Sequence, residues 1–375
     1  MPISKKRKKR DRFDLPVPLS IAPMEAKSCE SLPKEAGWQF EPKWDGFRCI
    51  AFRSNESIEL RAKSGKSLSR FFPEVVAALA SLPVKHFVVD GELVIPVEDV
   101  LSFDSLQMRL HPAESRIRKL SVATPALYVL FDCLVAGDNR EMISEPLAVR
   151  REALESFFYS LKSPTLLRLS PYTRSRAEAE RWLKRTGGSV DGVVAKRIDQ
   201  IYASGERAME KVKLLRTADC VVGGFRYATK SREVGSLLLG LYNDEGKLDH
   251  VGFTSSIANA DRKALTKKLQ KLIGEPGFSG NAPGAPSRWS TERSTEWEPL
   301  KPKLIAEVQY DHVTGDRFRH GTKFLRWRPD KSPEQCTFEQ LKSPGRPRKV
   351  IEEIIKGLPK SRSSSRSHSG ELRVE

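Results

Sequence analysis

The sequence predicts a mixed α+β domain followed by a smaller all-β domain. At 375 residues the chain exceeds the usual size of a single hydrophobic core. Strand-like runs and helix-like stretches alternate up to about residue 214, whereas short strands separated by turns follow, as in a small antiparallel barrel. We therefore predict a basic disordered tail at 1–18, a first domain at 19–214, a second domain at 215–340 and another basic disordered tail at 341–375.

The net charge indicates which kind of partner the protein binds. A formal charge of +17 and a pI near 9.7 favour binding to a polyanion, and nucleic acid fits better than a membrane surface. No apolar run approaches the ~20 residues that span a bilayer, and the N-terminus lacks the apolar core of a signal peptide. We expect a cytoplasmic, nucleoid-associated monomer with no membrane partner.

The spacing of the cysteines predicts neither disulfide bonds nor a metal site. The five are widely scattered and include no C-x-x-C pair, so neither a disulfide scaffold nor a zinc site is indicated. We expect buried thiols.

Alternation of apolar and polar residues predicts the elements of the first domain. Residues 87–94 are interpreted as two strands separated by a sharp Asp90-Gly91 feature, for which a hairpin turn is the simplest explanation. Apolar residues nevertheless surround Asp90 and Glu92, and two partly buried carboxylates need a metal or a cationic partner. The other predicted elements are a strand hairpin at 47–53 and 57–61, a helix at 72–81, a buried strand at 126–134, helices at 145–161 and 177–185, and a strand at 191–197.

Turn residues divide the second domain into short strands. The predicted strands are 220–227, 236–242, 248–253 and 304–310, with a hairpin turn at 243–246, a helix at 261–273 and a loop at 274–290.

The chemistry centres on Lys43-Trp44-Asp45-Gly46-Phe47-Arg48. A lysine amine can attack phosphorus when its pKa is lowered, and a nearby arginine such as Arg48 can hold the anion that is attacked. Taken alone, this stretch is more commonly a solvent-exposed segment that leads into a strand through an Asp-Gly turn.

Two further cationic groups support a phosphate-binding role. Lys211 and Lys213 fall on the same face of a strand, where two ammonium groups repel each other unless they surround phosphate. The stretch 317–331 interleaves arginines with aromatic residues, which favours nucleic acid, although a solvated basic edge with buried aromatics is the alternative.

The ordered set of motifs carries a resemblance to a known family. Lys43 to Arg48 is followed by Asp90-Gly91-Glu92, by Asp191 to Lys196, by Lys211 to Lys213 and by Arg328 to Lys331. This series resembles the covalent nucleotidyltransferases, and the flanking sequence from about Leu19 to Lys331 is most similar to compact bacterial ATP-dependent DNA ligases of non-homologous end joining. The resemblance implies a nucleotidyltransferase (adenylation) domain followed by an oligonucleotide-binding-fold barrel.

The resemblance also implies roles for individual residues. Lys43 would be the catalytic nucleophile, and Glu92 and Asp191 would lie nearest a divalent metal, Mg²⁺ or Mn²⁺. The sequence departs from the family at Lys63, where an arginine is usual, and at Asp191, where most relatives have glutamate. The residues that would contact the nucleotide are Glu41, Asp45, Arg48, Lys63, Glu92, Phe131, Lys196, Lys211, Lys213, Arg328, Asp330 and Lys331.

The implied activity is the sealing of nicks in duplex DNA with ATP, in DNA repair and recombination. The implied partners are nicked or broken duplex DNA and a DNA-end-binding protein. RNA ligases and capping guanylyltransferases share the lysine chemistry, and a DNA-binding protein without catalysis is an alternative of another class. In the C-terminal tail, Gly345-Arg346-Pro347 resembles the core of an AT-hook, although an ordinary basic tail is the commoner interpretation.

Overall fold

The first domain contains two sheets with helices packed against them. The computed structural model describes residues 13–98, 100–161, 166–185, 190–284 and 296–341. The strands of the first domain are β1 (Ala26–Ser28), β2 (Trp38–Trp44), β3 (Phe47–Ser54), β4 (Ser57–Ala62), β5 (His86–Val94), β6 (Pro96–Val97), β7 (Val100–Leu101), β8 (Leu127–Val135), β9 (Leu167–Leu169), β10 (Val190–Arg197) and β11 (Met209–Lys213). Its helices are α1 (Pro73–Ala80), α2 (Phe103–Arg109), α3 (Glu114–Ala123), α4 (Leu147–Ser160) and α5 (Arg176–Arg185).

The two sheets of the first domain contain four and five strands. One has the order β1-β11-β10-β2 and the other the order β4-β3-β5-β8-β9. They meet through an apolar cluster in which Trp44 and Val190 of the first sheet pack with Val94, Val129 and Phe131 of the second. The predicted hairpin, the buried strand β8, the strand β10 and the helices α1, α4 and α5 are confirmed. The short helices α2 and α3 were not predicted.

Asp90-Gly91 does not form a turn, and this part of the prediction is wrong. Strand β5 runs without a break through both residues. A Cβ at Gly91 would lie 2.5 Å from the carbonyl oxygen of Val129, and the register with β8 shifts at this point. Gly91 therefore allows a close approach between neighbouring strands, and that requirement outweighs the turn preference of Asp-Gly.

The connection between β2 and β3 crosses from one sheet to the other. It consists of Asp45 and Gly46 only, and a Cβ at Gly46 would lie 2.2 Å from the carbonyl oxygen of Leu93. The crossing therefore requires glycine for steric reasons, and it places Lys43 and Arg48 on different sheets.

Residues 13–18 pack against the first domain, so they differ from the disordered tail that the sequence predicts. Val17 is buried in a cluster with Ile50, and Phe13 and Leu15 pack against the same cluster. The backbone N–H of Asp14 also donates to Ser54 Oγ at 3.0 Å. Apolar side chains thus hold this short segment in place. The cationic run at 5–10 and the Gly345-Arg346-Pro347 segment lie outside the described residues.

The second domain is sheet-rich, consistent with an oligonucleotide-binding fold. Its main sheet has the order β14-β13-β12-β16-β19, with β15 paired to β12, and β17 and β18 form a separate hairpin. Its elements are β12 (Arg216–Tyr227), β13 (Val234–Tyr242), β14 (Leu248–Thr254), α6 (Asn259–Gln270), β15 (Glu298–Pro299), β16 (Ile305–Tyr310), β17 (Val313–Thr314), β18 (Arg317–Phe318) and β19 (Lys323–Trp327). The predicted strands and helix are present, whereas β19 was predicted only as a basic aromatic stretch. Among the described residues, no helix combines the length and apolar character needed to cross a membrane.

Candidate active site

Most of the predicted nucleotide-binding residues line one pocket of about 260 Å³ in the first domain. The strands β2, β3, β5, β8, β10 and β11 all reach this pocket, so residues that are distant in sequence face a common space. The predicted residues that line it are Glu41, Lys43, Arg48, Lys63, Glu92, Phe131, Lys196 and Lys211.

Arg48 is held rigidly in the pocket wall. Its Nε and Nη2 donate to the two carboxylate oxygens of Asp90, each at 2.6 Å, and Asp90 is completely buried. Tyr202 Oη donates to Asp90 Oδ2 at 2.6 Å. Burial disfavours the charged guanidinium, but the Asp90 carboxylate outweighs that effect and raises the pKa of Arg48. Asp90 thus has the cationic partner that the sequence required. Tyr202 was not predicted, because no nearby motif marks it.

Phe131 provides the apolar surface of the pocket. The Arg48 guanidinium lies 4.5 Å from the centroid of its ring, and Lys196 Nζ lies 4.7 Å from it. Lys196 also pairs with Glu41, with 2.9 Å between Nζ and Oε1. An aromatic face beside oriented charges suits a purine base with its phosphate nearby.

The carboxyl group of Glu92 has an unusual environment. Burial raises its pKa to about 8, although Arg48 and Lys43 act in the opposite direction. Glu92 is thus a protonatable group at neutral pH in the wall of the pocket, a property common at functional sites.

Lys43 is paired with a carboxylate. Its Nζ donates to Asp191 Oδ2 at 2.8 Å. Burial lowers the pKa of Lys43, but Asp191, and then Glu92 and Asp45, outweigh burial and leave the pKa raised. The amine is therefore held as an ammonium in this arrangement, and it must separate from Asp191, or Asp191 must be neutralised, before it can attack phosphorus.

The two lysines of β11 have different surroundings. Lys211 lines the pocket, and burial together with Lys43, Lys213 and Lys63 lowers its pKa. Lys213 Nζ donates instead to Asp311 Oδ2 of the second domain at 2.6 Å. Lys63 is paired with Glu25 at 2.9 Å.

A segment of the second domain, residues 311–320, lies directly on the site. Arg319 donates to both oxygens of Asp45, with Nη1 to Oδ1 at 2.6 Å and Nη2 to Oδ2 at 2.8 Å. His312 Nε2 lies 3.3 Å from Asp45 Oδ2, and His312 Nδ1 lies 3.4 Å from Asp191 Oδ1. His312 was not predicted, and Arg319 was recognised only as part of a basic stretch, because their partners are far away in the sequence.

Arg328, Asp330 and Lys331 are not among the described residues that line the pocket. Arg328 Nη1 donates to Asp219 Oδ1 at 3.0 Å, its Nη2 lies 2.7 Å from Asp330 Oδ2, and Lys331 is also bonded to Asp219. Asp219 belongs to β12, so the three residues are paired within their own domain. The structure does not bring them to the nucleotide pocket.

Where 311–320 contacts the first domain, three side chains could together bind a divalent metal ion. One ligand atom each from Asp45, Asp191 and His312 can lie within 4.8 Å of one another. Carboxylate oxygens suit Mg²⁺ and Mn²⁺, and the imidazole adds a nitrogen donor. Glu92 does not belong to this group, so of the two predicted metal ligands only Asp191 does.

Lys43 lies beside a pocket that has an aromatic face and oriented charges and is lined by strands of both sheets, an arrangement that suits a nucleotidyltransferase domain. The family model of the first domain is the ATP dependent DNA ligase domain, which matches residues 23–213, and the ATP dependent DNA ligase C terminal region matches residues 230–331. The chain belongs to the ATP-dependent DNA ligase family.

Individual relatives agree with this assignment. DNA ligase C1 of Mycolicibacterium smegmatis is 43% identical over 344 residues, which cover 88% of this chain and 97% of the relative. The multifunctional non-homologous end joining protein LigD of the same species is 28% identical over 329 residues, which cover 86% of this chain but 40% of LigD. A solved structure from work on Lig E DNA ligases, 15% identical with a TM-score of 0.51, covers 82% of this chain and 99% of that chain and supports the fold alone.

Proposed function

We propose that the chain seals nicks in duplex DNA with ATP through an adenylate carried on Lys43. The observation that carries this proposal is that Lys43 lines a pocket that is also lined by Arg48, Phe131 and Lys196. An aromatic face for a base, cations for phosphate and a nucleophilic amine are the groups that nucleotide transfer to lysine requires.

In the first step, the free amine of Lys43 attacks the α-phosphorus of ATP. The N–P bond forms, the bond from the α-phosphorus to the pyrophosphate oxygen breaks, and pyrophosphate leaves. Arg48 and Glu41 position the adenosine, Phe131 stacks on the base, and Lys196 and Lys211 hold the α-phosphate. Lys211 already lines the pocket, where burial and then the neighbouring Lys43, Lys213 and Lys63 lower its pKa.

In the second step, an oxygen of the DNA 5′-phosphate attacks the adenylate phosphorus and Lys43 is released. In the third step, the adjacent 3′-hydroxyl attacks the 5′-phosphorus, the new phosphodiester bond forms and AMP leaves. The net charge of +17 supports a nucleic acid as the substrate, since phosphate contacts contribute much of the affinity of nucleic-acid-binding proteins.

We also propose a divalent metal, Mg²⁺ or Mn²⁺, in this site. Asp191 and Asp45 would hold it, and Glu92 lines the nucleotide pocket together with Lys43. When bound, a metal neutralises charge on the phosphate oxygens and disfavours protonation of a nearby amine.

The test separates the possible activities by their products. Incubation with labelled ATP should place adenylate on the protein, and the loaded enzyme should then seal nicked DNA. A guanylate adduct from GTP would indicate a capping enzyme, a preference for nicked RNA would indicate an RNA ligase, and the absence of any adduct would indicate a non-catalytic DNA-binding protein.

The biological setting is a proposal of the same kind. The likeness to LigD supports work in DNA repair and recombination by non-homologous end joining, beside a DNA-end-binding protein. We propose a monomer in the cytoplasm that associates with the nucleoid through its positive charge. Light scattering on the purified protein tests the monomer, since a mass near 42.2 kDa is expected.

A further inference from the structure

The imidazole of His312 lies between two carboxylates that belong to the other domain. Its Nε2 faces Asp45 Oδ2 at 3.3 Å and its Nδ1 faces Asp191 Oδ1 at 3.4 Å. A neutral imidazole has one N–H, so it can donate to one carboxylate, while its other nitrogen would face oxygen lone pairs. The lone pair on that second nitrogen can instead bind a metal ion placed between the ring and the carboxylates.

The charge balance of the cluster depends on Lys43. Arg319 pairs with Asp45, and Lys43 pairs with Asp191, so each carboxylate has one cation in the structure. Transfer of AMP to Lys43 converts its ammonium into an uncharged N–P linkage and adds a negatively charged phosphate. Asp191 then loses its partner, and the cluster gains net negative charge, which favours the entry of a divalent cation.

A cavity next to the cluster leaves room for water ligands. It has a volume of about 220 Å³, and Asp191, Asp311 and His312 are among the residues that line it. Since a water molecule takes about 30 Å³ in the liquid, this space can hold several. Both Mg²⁺ and Mn²⁺ usually keep water in their coordination shells in addition to protein ligands.

We propose that His312 supplies a third, second-domain ligand to a divalent cation that Asp45 and Asp191 hold in the AMP-loaded enzyme. This inference rests on the proposed adenylation of Lys43. Because the ligands come from both domains, the cation fastens the second domain onto the first after AMP has been loaded. The nitrogen donor makes the site more favourable for Mn²⁺ relative to Mg²⁺ than an all-oxygen site would be.

The experiment measures Mn²⁺ binding by electron paramagnetic resonance on the full chain. One sample is fully adenylated with ATP, and the other is stripped of AMP with pyrophosphate. We expect Mn²⁺ to bind at least about tenfold more tightly to the adenylated sample, with a spin-echo signal from an imidazole nitrogen. In adenylated His312→Ala, the nitrogen signal should disappear and the affinity should fall by about 10- to 100-fold.

Two further variants make the result specific. His320→Ala removes a neighbouring histidine that is exposed and paired with Asp311, and it should bind Mn²⁺ as the wild type does. His312→Gln keeps a hydrogen-bonding side chain but should behave like His312→Ala, and melting curves show whether each variant is folded. An unchanged nitrogen signal in folded His312→Gln would overturn the proposal.

X-ray scattering provides an independent readout of domain contact. Mn²⁺ should make the adenylated wild type more compact and should leave adenylated His312→Ala unchanged, whereas equal compaction of both would refute a domain-bridging cation. Failure to form any adenylate would instead refute the proposed function. The two failures are therefore distinguishable.

Discussion

Two segments of the second domain, residues 311–320 and 328–331, are both rich in charge but have opposite relations to the nucleotide pocket. The segment 311–320 reaches across to the first domain, where Arg319 pairs with Asp45 and Asp311 pairs with Lys213. The segment 328–331 remains within its own domain, where Arg328 pairs with Asp219.

In this orientation of the second domain, 311–320 contacts the first domain at the site and 328–331 does not line the pocket. If Arg328 and Lys331 act on the nucleotide, the second domain must take another orientation. The pairs Arg319–Asp45 and Lys213–Asp311 must then break. On the proposed roles, we expect the ion pairs between the domains to influence which step of the reaction each segment can serve.

The largest effect should come from Lys43→Ala, which removes the proposed nucleophile. We expect no adenylate on the protein and no sealing from ATP, with DNA binding largely intact because the net charge hardly changes. Adduct formation is measured with labelled ATP. Lys85→Ala is the control, since Lys85 is exposed and paired with Glu56 away from the pocket. An adduct that survives in Lys43→Ala would disprove the mechanism.

Asp191→Asn should slow adenylation but make the amine of Lys43 more reactive. The Asp191 carboxylate raises the pKa of Lys43 against the effect of burial, so its removal should lower that pKa and shift the reactivity profile to lower pH. Modification with an amine reagent over a range of pH, without divalent metal, measures this shift. Self-adenylation should fall on the order of 100-fold if Asp191 holds the metal.

The control for this prediction is Asp311→Asn, because Asp311 contacts Lys213 and not Lys43. Its profile for Lys43 should match that of the wild type. A Lys43 profile that moves to higher pH in Asp191→Asn would contradict the role of this pair.

Arg319→Ala should weaken the arrangement in which 311–320 contacts the site. Truncation leaves the buried Asp45 without its two guanidinium hydrogen bonds, a loss of about 2 kcal/mol or roughly 30-fold. The measurement is the sealing rate on pre-adenylated nicked DNA, and Arg326→Ala, which breaks a more exposed pair with Glu307, is the matched control. Equal rates for Arg319→Ala and Arg326→Ala would show that this contact has no part in sealing.

Lys331→Ala should slow the reaction with ATP but not the sealing of pre-adenylated nicked DNA, the opposite of what we expect for Arg319→Ala. If Lys331 orients pyrophosphate, it matters only for the reaction with ATP, and self-adenylation should fall by about tenfold, or 1.4 kcal/mol. Sealing of pre-adenylated nicked DNA should remain unchanged. Comparable losses on the two substrates would show that the segment 328–331 has another role.

The smallest effect should come from Tyr202→Phe, which tests the wall of the first-domain pocket. The change removes the hydroxyl that donates to Asp90 and accepts from the backbone N–H of Met24. We expect a loss of about 1 kcal/mol, or roughly fivefold, seen as a higher KM for ATP with kcat nearly unchanged. A fall in kcat without a change in KM would place Tyr202 elsewhere in the mechanism.

Sequence alone predicts the residues that share a domain better than those that meet across domains. Lys43, Arg48 and Lys196 lie on strands whose local patterns are recognisable, and antiparallel pairing then brings the strands together. His312 and Arg319 could not be predicted, because their contacts depend on how two domains dock. Local preferences also failed where a neighbouring strand imposed a stronger steric requirement, as Val129 does at Gly91.

Because the crossing between the sheets consists of Asp45 and Gly46 alone, the number of residues between Lys43 and Arg48 determines which face of its sheet Arg48 occupies. Lys43 is the second-last residue of β2 and Arg48 is the second residue of β3, where the Arg48 guanidinium contacts Phe131 and Asp90. Side chains alternate along a strand, so one inserted residue after Gly46 would turn Arg48 to the opposite face of its sheet. A deletion would do the same. Protein engineering of this enzyme can therefore alter residue types within this stretch more safely than it can alter its length.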